Sequence, residues 1–363
     1  MQRSEATVSG GEPWYMDDGS DCDVVVSTRV RLARNLANFL FPSDDRMDEQ
    51  SRVQTLVFDS FGKFDNPDDF HIVRTETLDS LGVKILSERG VLDSDKPSGL
   101  VMRNDGRLSC CINSIDHVRI ASFESGFNCE KALAQCRAVD DGLQNTLQFA
   151  ASYEFGYLTA ALQDVGSGMK ISLRVHLPSI SFLHETDSIF NQIREKDLSV
   201  FSVFGAGSDY GTSLGSYYEI ATTGAANGNE LDQLASIESA VKHLVETERK
   251  FRIECAENKS TRIYNDILRS FASAKFSMFL TLREAIHIIS TLKWGLAIGI
   301  VQDMTDSVLH GLLYRVQEGH LEFLLNNGDF AFENDIKDDL PMKIERLRAL
   351  IVQEALDGIR FVN

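Results

Sequence analysis

The apolar residues of this chain change period about two-thirds of the way along, and that change limits the folds open to it. As far as about residue 255, two kinds of stretch are interleaved. In one kind alternate residues are apolar, as with Ile171, Leu173, Val175 and Leu177 set against Ser172, Arg174 and His176; the other has helical spacing. From there to Val362 the spacing is helical, broken by an acidic loop over residues 326–339. At 363 residues the chain is long for one hydrophobic core, so two structural units are expected. The polar stretch Ala256-Glu257-Asn258-Lys259-Ser260-Thr261 marks the joint. It separates a mixed domain ending at 255 from a helical domain over 256–363.

Within the mixed region, Val24-Val25-Val26 is a β-branched run, after which Leu32, Leu36, Phe39 and Leu40 take a helical spacing that stops at Pro42. Residues 107–123 read as two strands joined by a short polar connection. Leu108, Cys110 and Ile112 alternate on one face, with Val118 and Ile120 across the turn. A helix is expected over residues 128–150 and a second strand–loop–strand unit over 156–178. After the loop at 227–229, Leu231, Leu234, Ile237, Val241, Leu244 and Val245 line a long amphipathic helix.

Charge excludes one class of partner. With 54 acidic and 36 basic residues the net charge is −18, the wrong sign for a general nucleic-acid surface, though a small basic pocket remains compatible with it. Residues 1–23 hold no apolar core of signal-peptide length, and no uncharged apolar run reaches the length of a membrane span. Residues 278–301, the most apolar stretch, carry Arg283, Glu284, His287 and Lys293 and read as a packed helix. Cys22, Cys110, Cys111, Cys129, Cys136 and Cys255 form no C-x-x-C pair, so neither a zinc site nor a disulfide framework is expected, and the compartment reads as a reducing cytoplasm.

Ser27-Thr28-Arg29-Val30-Arg31 is the best-marked chemical feature. In an extended segment Arg29 and Arg31 share a face, where two like charges repel unless an anion lies between them, and the planar guanidinium suits phosphate. Arg34, one helical turn on, is a candidate to join them; a solvated basic edge is the alternative. Gly166-Ser167-Gly168-Met169-Lys170 fails the phosphate-loop pattern because a strand follows it, and a turn with positive φ is the plainer reading. Gly205-Ala206-Gly207 is equally weak as a dinucleotide fingerprint. Asp116 and His117 sit in the inter-strand turn, either as an acid–base pair or, more simply, as a turn-stabilising carboxylate and a packed imidazole.

Taken in order, four segments resemble the ATP:guanidino phosphotransferase (phosphagen kinase) family, and within it the bacterial protein-arginine kinases. They are S-T-R-V-R-L-A-R-N at 27–35; N-x-x-D-H-x-R-I at 113–120; G-Y-L-T-A at 156–160, followed by V-G-S-G at 165–168 and H-L-P at 176–178; and G-x-G-S at 205–208. The helical tail also resembles that branch's C-terminal domain. The extent of the resemblance implies a mixed domain over 20–255, starting after an N-terminal extension over 1–19. The resemblance implies an α+β fold: a large antiparallel sheet flanked by helices, carrying nucleotide on several arginines, plus a helical C-terminal domain. It also implies ATP or ADP with Mg²⁺ on the phosphates, a glutamate that orients and deprotonates a guanidinium, a homodimer, and a partner linked to an ATP-dependent protease system.

Carried over residue by residue, the resemblance divides. Ser27, Thr28, Arg29, Arg31, Arg119 and Lys170 match the nucleotide-phosphate positions, with Lys170 standing where the family has arginine. Asn113, Asp116 and His117 keep a motif frame whose two glutamates fall on Ser114 and Ile115, the second being the family's catalytic carboxylate. The family cysteine falls on Ala161, the arginine of its R-G-x-x-G-E motif on Phe201, the terminal glutamate of that motif on Ala206, and a histidine near the adenine on Gly90. The phosphoarginine-reading motif has only a poor counterpart over residues 343–348. Isoleucine can neither take a proton nor hold a guanidinium. Lost transition-state charges in phosphoryl transfer cost on the order of 10³-fold or more. The expectation is therefore a catalytically impaired, pseudokinase-like protein acting through a retained phosphate pocket. The alternatives are an active kinase with a rebuilt site, for which Asp164 and Glu154 are conceivable carboxylates, or a structural subunit that binds no nucleotide.

Overall fold

Alternation along β1 (Val25–Arg34) sets the frame: Val30 and Leu32 are buried on one side, and Arg29 and Arg31 stay partly exposed on the other. The computed structural model describes residues 13–43, 47–92, 97–205, 213–224, 228–258 and 260–362. After β1 come β2 (Phe70–Arg74), β3 (Gly99–Arg103), β4 (Leu108–Ile112), β5 (Val118–Ser125), the short β6 (Ala151–Ser152) and β7 (Gly156–Tyr157), β8 (Met169–His176), β9 (Leu198–Ser202) and β10 (Tyr217–Thr222). Eight of these form one antiparallel sheet in the order β2-β3-β4-β5-β1-β8-β10-β9, while β6 and β7 pair apart from it.

Helices α1 (Met47–Phe61), α2 (Ser80–Glu88), α3 (Cys129–Gln144), α4 (Pro178–Phe182), α5 (Thr186–Arg194) and α6 (Glu230–Asn258) flank this sheet. Val57, Leu133, Ile193 and Val241 from four of them pack on Val30, Leu32, Ile120 and Leu173. Each such side chain contributes about 1.5–3 kcal/mol when fully buried. The C-terminal region is helical: α7 (Ser260–Phe276), α8 (Leu282–Ile298), α9 (Asp306–Arg315), α10 (Glu318–Asn327) and α11 (Leu340–Ala355), with a small ribbon of β11 (Val301–Gln302) and β12 (Arg360–Phe361). Helix α8 starts at a Thr281–Glu284 capping box and stops at Gly299, in the left-handed region. Its Ile286 and Ile289, with Leu312 and Trp14, cover Val26, Phe123 and Tyr217, so the C-terminal helices close one end of the sheet's second face. Among the described residues, all six cysteines are free and no helix is long and apolar enough to cross a membrane.

Three local expectations need correction. The helix expected from Leu32 towards Pro42 does not form: β1 runs on through Arg34, paired on both edges, and Leu40 is 58% exposed. Strand pairing on both sides outweighs a local apolar spacing that has no helix face to bury. Helix α3 ends at Gln144, because Phe149 turns back to bridge Leu36. Residues 156–178 give one long strand, β8, and only the two-residue β7.

Glu248 of α6 is fully buried and accepts the backbone N–H groups of Ser179 and Ile180, each at 3.0 Å, at the start of α4. Burial pushes its carboxyl up to about 7 against those two hydrogen bonds. The folded state then holds a proton that the unfolded state releases near 4.5, so this group's stabilisation is full below about pH 4.5 and is lost as pH rises through 7. Denaturant titrations at pH 5 and pH 8 should differ by up to about 3 kcal/mol from this residue, and Glu248→Gln should remove that part of the difference.

Candidate functional site

Strand parity assembles the site. On β1, Ser27, Arg29, Arg31 and Ala33 share one face, and the registers with β5 and β8 set the neighbours. Arg31 lies opposite Ala121 and Lys170; Ala33 lies opposite Arg119; Arg29 lies opposite Phe123 and Ser172; Ser27 lies opposite Ser125 and Arg174. Directly opposed residues are about 5 Å apart and the next along a strand about 7 Å, so Arg31, Lys170, Arg119 and Arg29 form one cationic patch. Burial, and then Arg31, hold the Lys170 ammonium below its usual range, with Asp164 and Glu219 pulling the other way. An anion in the patch would reverse that.

Arg29 also reaches out of the patch. Its Nη1 donates to the Gly90 carbonyl at 3.0 Å, and its guanidinium lies 5.9 Å from the Phe123 ring centre. Glu88, two residues before Gly90, accepts the Gly319 N–H at 2.8 and 3.0 Å, so α2 connects the patch to the start of α10.

Thr28 is buried on the opposite side. It donates to the Gly126 carbonyl at 2.6 Å and accepts the Asn128 N–H at 3.1 Å, latching the turn before α3. Arg34 does not join Arg29 and Arg31. It is 1% exposed, faces away because it sits three residues past Arg31 in a strand, and pairs with Asp140 of α3 at 2.9 Å. Its remaining donors hold the Ser167 carbonyl at 3.0 Å, and the guanidinium lies 3.6 Å from the Tyr157 ring centre.

The Asn113–His117 turn is built for support. Asn113 takes positive φ and donates to the Gln50 carbonyl at 2.8 Å. Asp116, almost fully buried, accepts Asn35 Nδ2 at 2.6 Å and the Ala160 N–H at 2.7 Å. The His117 N–H donates to Asn35 Oδ1 at 2.9 Å, and its Nδ1 accepts the Leu36 N–H at 3.1 Å. Burial pushes the imidazole below its usual range, which suits a neutral packed ring. Three segments are thus tied together, and they carry Ser114, the 40%-exposed Ile115 and Ala161. Phe201, on β9 opposite Glu219, is 51% exposed, and Ala206 lies outside the described residues. Gly168 takes positive φ where a side chain would strike the Ala33 carbonyl, so the 166–168 glycines serve a turn.

Three residues of this face carry no motif. Arg174 and Glu219 share it by register, and Asp164 lies within electrostatic reach of Lys170, Arg31 and Arg119, with burial pushing its carboxyl up. The alternation that marks Arg29 and Arg31 also marks Arg174; what the sequence lacks is the knowledge that β8 lies beside β1.

The sheet order, the cationic face and the helical C-terminal region define a phosphagen-kinase type of fold. Residues 52–251 match the ATP:guanido phosphotransferase C-terminal catalytic domain, and residues 260–360 match the protein-arginine kinase McsB C-terminal domain. The chain belongs to the ATP:guanido phosphotransferase family. Among its relatives are protein-arginine kinases of Shouchella clausii (28% identical, covering 85% of this chain and 88% of the relative) and Clostridium novyi (29%, covering 96% and 99%). Its fold is similar to that of a duplicated taurocyamine kinase from Schistosoma mansoni. The TM-score is 0.55 at 19% identity, over 68% of this chain and 35% of that one.

Proposed function

We propose that this chain is a protein-arginine-kinase-like protein that keeps an arginine-built nucleotide-phosphate pocket, has lost most phosphoryl transfer, and acts by binding. One observation carries the reading. Arg29, Arg31, Arg119 and Lys170 share a face, while the turn beside them presents Ile115 where the family resemblance puts the catalytic carboxylate. Phosphoryl transfer rests on positioning and on neutralising phosphate charge; the patch supplies the second, and an aliphatic side chain cannot supply proton removal.

The patch fits nucleotide phosphates, since like charges at cross-strand distance and a depressed Lys170 are what a bound polyanion would relieve. Among the described residues no group of three acidic, histidine or cysteine side chains is arranged to hold a metal, so Mg²⁺ would arrive on the phosphates, where it neutralises charge. The setting that goes with this reading is cytoplasmic and homodimeric, with a protein partner tied to an ATP-dependent protease system.

A second reading, an active kinase with a rebuilt site, draws on Asp164, a half-buried carboxylate with raised proton affinity in the field of Lys170, Arg31 and Arg119. Labelled γ-phosphate transfer from Mg-ATP to an arginine-rich protein, scored as acid-labile phosphate with host extract present, separates the two. Binding without transfer is the expected result. Transfer that requires this chain and disappears in Asp164→Asn would establish the second reading, and absence of both would leave a structural subunit. In parallel, Lys170→Met should weaken nucleotide binding about tenfold while raising ligand-free stability by about 0.5 kcal/mol, as a screened like-charge contact is removed. Titration and thermal melting of the one variant check both signs.

A further inference from the structure

We infer that Arg174 is a phosphate-binding residue of this pocket, extending the cationic patch one position along β8; the inference rests on the nucleotide-pocket reading above. Arg174 occupies the same face as Lys170, four residues on, and is the direct neighbour of Ser27 on β1 and Glu219 on β10. Because Arg29 pairs with Ser172, Arg174 is also the diagonal neighbour of Arg29. Arg31 and Lys170 are thus opposed about 5 Å apart at one end, Arg29 stands about 7 Å along β1, and Arg174 closes the row about 13 Å along β8 from Lys170, a span that long arginine side chains narrow towards a polyphosphate.

A structural role does not account for an arginine there. Among the described residues its buried Nε meets no hydrogen-bond acceptor, and no carboxylate forms an ion pair with its guanidinium. Glu219 is its strand neighbour, yet the two form no ion pair. Among the described residues its guanidinium lies 5.7 Å from the Phe204 ring centre. A methionine would pack on that ring without leaving a buried donor unmet or adding a cation beside Arg29. A polyphosphate removes both penalties, because it accepts from the planar fork and screens Arg174 from Arg29. Phe201 lies in the same cross-strand row, beyond Glu219, so Arg174 supplies that end of the face with a cation its edge strand lacks.

The test titrates full-length protein with ATP, ADP, AMP and tripolyphosphate, comparing wild type with Arg174→Met, Arg174→Gln and Arg31→Ala. Gln keeps a planar donor end without the charge, so it guards against a packing defect in the methionine variant; thermal melts accompany each. The expected result is a loss of about tenfold in ATP, ADP and tripolyphosphate affinity in both Arg174 variants, a clearly smaller loss for AMP, and no fall in melting temperature. A purely structural arginine would not sort ligands by phosphate number. Wild-type affinities in both Arg174 variants, with binding lost in Arg31→Ala, would overturn the assignment while leaving the pocket intact. Absence of binding by the wild-type protein would instead remove the pocket, and the assignment with it.

Discussion

Arg31→Ala is expected to lower ATP affinity by roughly 10- to 100-fold in a protein that still folds. Arg31 is the centre of the patch: Lys170 is directly opposite, Arg119 is diagonal across β5, and Arg29 is two residues back on the same strand. A charge-assisted bond from guanidinium to phosphate contributes about 1.5–3 kcal/mol, and each 1.4 kcal/mol is a factor of ten in affinity. Arg31 also presses on Lys170, so its removal lets that ammonium regain some of its proton affinity. Affinity should therefore fall while the variant still melts as a folded protein. Titration of nucleotide into wild type and variant, with a melt of each, reads both. A variant that binds as the wild type does would show that the patch is only a basic edge of an acidic protein.

The largest effect on stability is expected three residues away, on the other side of the sheet. Asp140→Ala should cost about 3–5 kcal/mol, because it leaves the Arg34 guanidinium charged, buried and without its carboxylate. Three hydrogen bonds join the pair, Nε to Oδ1 at 3.0 Å, Nε to Oδ2 at 3.3 Å and Nη2 to Oδ2 at 2.9 Å, and Arg34 also holds the Ser167 carbonyl ahead of β8. Replacing both partners by apolar residues, as in Arg34→Met with Asp140→Leu, should cost far less than either single change to alanine, since no charge is then stranded. Urea denaturation of the two singles and the double measures this. Equal losses in all three would mean that the pair's packing, and not its charge, is what matters.

The contrast between Arg31 and Arg34 shows where sequence reading ends. Both belong to one nine-residue motif, and spacing alone puts them near one another whether the segment is a strand or a helix. A helix would have aligned Arg34 with Arg31; the strand sends it to the opposite face, and β1 stays a strand because β5 and β8 pair with both its edges. Asp116 and His117 followed the plainer of their two readings, since Asn35 and the Ala160 N–H occupy the carboxylate and Leu36 occupies the imidazole. Arg174 and Asp164 carried no motif, and nothing local distinguishes a strand arginine that faces a neighbouring arginine from one that faces water.

By itself the sequence determined the periods, and with them the sheet-and-helix region, the helical tail and the shared face of Arg29 and Arg31, because side-chain parity within a strand is a local property of the backbone. Its motifs pointed to the family. Only the tertiary structure decided that β8, over a hundred residues downstream, lies against β1 and brings Lys170 and Arg174 beside the two arginines. That choice is made by pairing partners and core packing distant in sequence, and no local period encodes which strand comes to rest beside which.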